Sequence, residues 1–235
     1  KELLEKIFDQ SRNGLYFVNT PTGSAKSYSA VQLMKNNYKT FDKHFIFITN
    51  NLNNLPMEDL KDALGEDEYK ANVLRVESIY ETRIPNEFKA LDSYKNLEMR
   101  LNIYKHFQNE LKTGRIGMKL LQDSQKNLAE ADGKFRKEIK KVIMSTDIKN
   151  HSMEERKEMI KSKYQWLGTL YPAMFVEDYK VICMSVKRFF TTIDPIYMGD
   201  YKFSESDIID NSVLFIDEVD ATKNEINNII IENSL

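Results

Sequence analysis

Two short segments carry residue types and spacings that can handle a phosphoanhydride. The first is Thr20-Pro21-Thr22-Gly23-Ser24-Ala25-Lys26-Ser27, a run of turn formers between an apolar run, Leu15-Tyr16-Phe17-Val18, and a helical pattern reaching to about Asn37. Backbone N–H groups at a helix N-terminus have no intrahelical acceptor and suit an anion. Small residues such as Gly23 and Ala25 let that backbone approach closely. Lys26 supplies a point charge for β- and γ-phosphates, and the Ser27 hydroxyl suits Mg2+. Ala25 stands where glycine usually precedes the lysine, and Thr20 stands at the usual first glycine; a position that needs φ > 0 penalises alanine and lowers nucleotide affinity. The segment also reads as a Ser/Thr-rich helix cap beside a surface lysine.

The second segment is Val213-Leu214-Phe215-Ile216-Asp217-Glu218-Val219-Asp220, which sets carboxylates at the end of an apolar strand. Ligands of open α/β sheets bind at that edge. Asp217 suits Mg2+ and Glu218 suits orienting and deprotonating a water. An acidic cluster after a strand also reads as a solvated helix start. Phosphoryl transfer asks for a phosphate cradle, a metal and a positioned water, so the two segments support each other.

These residues need a sheet to hold them. Residues 2–9 read as a short amphipathic helix, Phe45-Ile46-Phe47-Ile48 as a buried strand, 57–64 as a helix and 72–76 as a strand. The first 80 residues thus alternate strand and helix, as a parallel α/β sheet does. Residues 86–165 are helical in pattern, with a bend allowed at Gly133. They hold 18 Lys and Arg against 12 Asp and Glu, which makes the rest of the chain strongly acidic. Strand patterns return at 179–184 and 212–216, and a last helix spans about 223–232. The organisation expected is 1–85, first part of an α/β domain; 86–165, helical insertion; 166–235, second part.

The chain has 235 residues, 41% hydrophobic and 30% charged, with a formal charge of −2. That composition excludes a disordered or collagen-like chain, and the overall charge does not announce a nucleic-acid binder. Cys183 is the only cysteine, so no internal disulfide and no cysteine zinc cluster can form, which fits a reducing cytoplasm. His44, His106 and His151 lack ligand spacing. No apolar run reaches a membrane span. A first residue other than Met leads us to expect a piece of something longer.

Thr20 to Ser27 resembles motif I (Walker A) of superfamily 2 helicases, and Asp217-Glu218-Val219-Asp220 resembles their motif II (Walker B), the DEAD/DEAH box. The resemblance covers both ends of the chain and leaves the middle uncovered. It implies a RecA-like P-loop NTPase lobe, a three-layer α/β sandwich with a mostly parallel sheet, binding ATP and Mg2+. Lys26 and Ser27 would take phosphate and Mg2+, Asp217 would hold Mg2+, Glu218 would activate water, and Asp220 would couple the site to later motifs. Thr49 and Asn50 fall where motif Ia contacts nucleic acid. Ser185, Lys187 and Arg188 fall where motif Ib would lie. Thr49 and Ser185 read equally well as helix caps. The implied partners are DNA or RNA and a second RecA-like lobe, with no membrane.

Lys26 and Asp217 are 191 positions apart, longer than such domains usually need, and the helical insertion accounts for the excess. No Ser-Ala-Thr motif follows Asp220, and no second lobe fits in the remaining residues. The expectation is a first lobe only, binding nucleotide weakly and hydrolysing it poorly by itself. One alternative is an AAA+-type ATPase, against which stand the missing Gly-Pro-Pro-Gly loop and the long separation of the motifs. Another is a degenerate P-loop module that docks a partner or nucleic acid, with Lys134, Arg136, Lys137, Lys140 and Lys141 along a phosphate backbone. That charge run also reads as a solvated helix face. Trp166 and Tyr171 read as core packing.

Overall fold

The structure, a computed structural model, describes residues 26–80, 82–144, 147–217, 222–224 and 226–227. The expected helix at 2–9 and strand at 15–18 lie outside the described residues. In chain order the main elements are α1 (Lys26–Asn37), β1 (His44–Thr49), α2 (Met57–Leu64), α3 (Glu66–Asn72), β2 (Val73–Arg75), α4 (Asn86–Lys89), α5 (Asp92–Lys112), α6 (Met118–Met144), α7 (Met153–Lys163), α8 (Gln165–Leu170), β3 (Val181–Ser185), α9 (Val186–Phe190), β4 (Thr192–Ile193), β5 (Tyr201–Lys202), α10 (Asp207–Asp210) and β6 (Ser212–Ile216). No described helix is long and apolar enough to cross a membrane.

The chain forms two compact units. One comprises 1–78, 171–193 and 200–235; the other comprises 79–170 with 194–199.

The first unit is α/β. Its sheet has the order β2-β3-β1-β6, and every pairing is parallel. The strands read as unbroken apolar runs because both faces of the sheet are buried. Phe45, Phe47, Val73, Val181 and Cys183 face one side, where Ala30, Val31 and Met34 of α1 and Leu60 of α2 cover them. Ile46, Ile48, Leu74, Ile182 and Met184 face the other, against Val176, Val186, Phe189, Phe203 and Ile208. Gly65, at φ +82°, joins α2 to α3 in a conformation that L side chains resist. Next to the sheet, β4 and β5 form a two-stranded antiparallel ribbon.

Burial in this sheet pushes the Cys183 thiol up to about 12. The thiolate is the reactive species. The folded chain is therefore expected to resist iodoacetamide at pH 8, while the urea-unfolded chain reacts at the rate of an ordinary thiol; equal rates in the two states would contradict the burial. The linkage has a sign as well. From about pH 9 to about pH 12 the unfolded chain releases this proton and the folded chain keeps it, so the contribution of this group to stability falls as pH rises through that window.

The second unit is helical, and its main feature is α5 against α6. A Schellman turn ends α5: the Gly114 N–H donates to the Leu111 carbonyl at 3.0 Å and the Arg115 N–H to the Glu110 carbonyl at 3.0 Å. Gly114 takes φ +71° there. Leu128, Phe135, Ile139 and Ile143 are buried as the helical period requires, while Leu120 is exposed. Gly133 does not interrupt α6. Phe135 stacks near Tyr94, and Phe88 lies 4.9 Å from Trp166, ring to ring. Arg136 is buried, its Nε 2.9 Å from Asp132 Oδ2, so it is not part of a solvated cationic face.

Candidate functional site

Helix α1 carries Lys26 and Ser27 in the first turn of its described extent, Lys26–Asn37. Strand β6 ends at Ile216, and Asp217 follows it. The Asp217 N–H donates to the Ile48 carbonyl at 2.9 Å, extending the β1–β6 ladder past the strand. The Thr222 hydroxyl donates to the Asp217 carbonyl at 3.1 Å. The backbone of Asp217 is thus held at both its donor and its acceptor.

Across 190 positions of sequence, the Ser27 hydroxyl then donates to Asp217 Oδ2 at 3.5 Å. This contact joins the two segments with phosphate-handling residue types. Lys26 is exposed beside it. Thr20, Thr22, Gly23, Ser24 and Ala25 lie outside the described residues, as do Glu218 and Asp220.

Ser27 and Asp217 offer hard oxygen donors of the kind Mg2+ selects. Ligand oxygens at about 2.1 Å around an octahedral Mg2+ lie about 3 Å apart. The Ser27–Asp217 separation is close to that, so the two groups fit one cation and its water shell. Among the described residues no group of three or more His, Cys, Asp or Glu could cage a metal. Mg2+ commonly takes one or two protein ligands with substrate phosphate and water filling the rest.

The parallel register brings further residues to the same edge. Thr49 pairs with Ser185, and Ile48 pairs with Ile216 one residue before Asp217. Ser185 caps α9, its hydroxyl accepting from the Arg188 N–H at 3.1 Å. Lys187 is exposed and Arg188 is half-buried. Thr49 is buried, and its hydroxyl donates to the Asn51 carbonyl at 3.3 Å. The turn after β1 is capped by Asn51, not Thr49: the Asn51 side chain accepts from the Asn53 N–H at 3.0 Å. Asn50 is exposed. Sequence reasoning missed Thr222, whose only signal was a hydroxyl shortly after the acidic run.

In comparisons with known proteins, no family model and no curated sequence matches the chain.

Proposed function

We propose that this chain binds Mg·ATP at the C-terminal edge of its parallel sheet and serves as the RecA-like ATP-binding lobe of a nucleic-acid-dependent, helicase-type ATPase working in the cytoplasm. The observation that carries the reading is the Ser27–Asp217 approach, which joins residues 190 positions apart. The units between them also favour this reading over an AAA+ ATPase: β1, β2 and β3 and a helical body separate the two segments.

In the proposed reaction Lys26 would neutralise phosphate charge, and Ser27 and Asp217 would hold Mg2+. Bound there, Mg2+ would offset negative charge on the phosphates. Glu218 orients a water and takes its proton as the water oxygen attacks the γ-phosphorus. The bond to the bridging oxygen breaks, and ADP leaves with its electron pair. Asn50, Lys187 and Arg188 offer donors at the same sheet edge for a nucleic-acid backbone.

The test is a double-mutant cycle on Mg·ATP affinity. Ser27→Ala and Asp217→Asn should each weaken binding about tenfold, the scale of a hydrogen bond to a charged group. If both face one cation, the double variant should lose much less than the product of the two. Without Mg2+, the coupling should vanish. Additive losses, or none, would refute a shared metal.

A further inference from the structure

We infer that the helical unit carries a second nucleic-acid contact, a basic groove beside the C-terminal end of α6 that takes the phosphodiester backbone. The inference rests on the proposed function and assigns part of its nucleic-acid binding to the helical unit.

The groove has a volume of about 560 Å³ and is lined by Lys137, Lys140, Lys141, Met144 and Lys149. Among the described residues no acidic side chain lines it. Lys137 and Lys141 sit one turn apart on α6, about 6 Å along the axis. Lys149 comes from the short turn Asp147–Asn150, and its carbonyl accepts from Arg156 Nη2 at 2.7 Å, which fixes the turn to α7. Lys140 is matched to Asp194 at 2.6 Å and also reaches the Met198 carbonyl. Lys137, Lys141 and Lys149 are exposed.

A solvated helix face would spread these charges over a convex surface with acidic neighbours. Here lysines from two elements gather on one open groove, and Asp194 is paired with Lys140. Like charges gathered on one surface raise the local positive potential. Its described lining is four lysines and a methionine, cations suited to phosphate oxygens, and the occupant they fit is a backbone bound without regard to sequence. The charge run recognisable in sequence differs from this set: Arg136 is buried on Asp132, and Lys149 joins from further along the chain.

The test uses the full chain and a fluorescein-labelled oligothymidylate of about 16 nucleotides. Anisotropy is followed between about 50 and 200 mM KCl. The variant Lys137→Gln/Lys141→Gln/Lys149→Gln should flatten the slope of log K against log salt by about 2 and weaken binding roughly a hundredfold near 0.1 M salt. The charge-matched control Lys112→Gln/Lys119→Gln/Lys126→Gln removes exposed lysines elsewhere in the unit and should change little. Absence of binding by the unaltered chain, or equal losses in the two variants, would overturn the inference. So would displacement by poly-glutamate at equal charge, which would make the groove a protein-docking face. Mg·ATP calorimetry on the same variants separates this outcome from failure of the nucleotide site, because neither triple variant touches it.

Discussion

In a Lys26→Ala chain the heat of Mg·ATP binding is expected to disappear from a calorimetric titration. Lys26 is exposed beside the Ser27–Asp217 pair and lies outside the buried core. Removing one member of a close charge pair at a binding site costs about 2–5 kcal/mol, which is roughly thirtyfold to several thousandfold in affinity. The protein should unfold at the unaltered urea midpoint. Ala25→Gly provides the complementary arm. If position 25 requires positive φ on nucleotide binding, glycine there should tighten Mg·ATP. Unchanged binding by Lys26→Ala would remove the phosphate-cradle reading of the Thr20–Ser27 segment. Failure of the unaltered chain and of Ala25→Gly alike would move weight to a docking module without nucleotide.

The largest effect on stability is expected at Phe45. This side chain is fully buried on central strand β1, with its ring 5.4 Å from Phe41 and 6.4 Å from Phe215. Phe45→Ala leaves a cavity between the sheet and α1 and should cost about 3–5 kcal/mol. Domains are held by only about 5–15 kcal/mol, so this variant sits near the edge of folding at 37 °C. Urea unfolding followed by circular dichroism measures the loss, and Cys183 alkylation gives an independent probe of the same sheet. Met118→Ala, at an exposed site, should change stability by less than about 0.5 kcal/mol. A loss below about 1 kcal/mol at Phe45 would mean that the β1 face is not closed as described.

The strands were the most legible part of the fold. Phe45–Ile48, Val181–Met184 and Ser212–Ile216 are short apolar runs, the signature of strands buried on both faces. Their order was not legible, because a parallel pairing is decided by which strand a long connection returns to, and no local pattern carries that. The boundaries of α2 followed from the periodicity; of the last helix expected at about 223–232, residues 223–224 and 226–227 are helical and the rest lies outside the described residues. At the site, Ser27 and Asp217 could be picked by type alone, but their meeting depends on register: Asp217 is placed by its bond to Ile48, a residue of a different strand. Thr49 was misleading for a similar reason, since a hydroxyl after a strand looks like a cap until Asn51 is seen doing the capping. Arg136 shows the same limit for charge. Nothing in a lysine-rich run says which member turns inward, and only Asp132 one turn earlier resolves it. The segment 194–199, assigned by pattern to the α/β part, belongs with the helical unit and supplies the partner of Lys140.

Strands β2 and β3 flank most of the helical unit in sequence and are hydrogen-bonded neighbours in the sheet. A hydrogen bond from the Ile79 N–H to the Leu170 carbonyl at 2.9 Å ties the unit's own two ends together. Bodies whose ends lie together are the ones that hosts accept as inserts. Over generations, the helices between those two residues are free to lengthen, shorten or be exchanged for another body while the strand order stays as it is. The constraint on that drift is the strap at 194–199, which any successor would have to replace or do without. Descent should therefore preserve the sheet edge and diversify the helices.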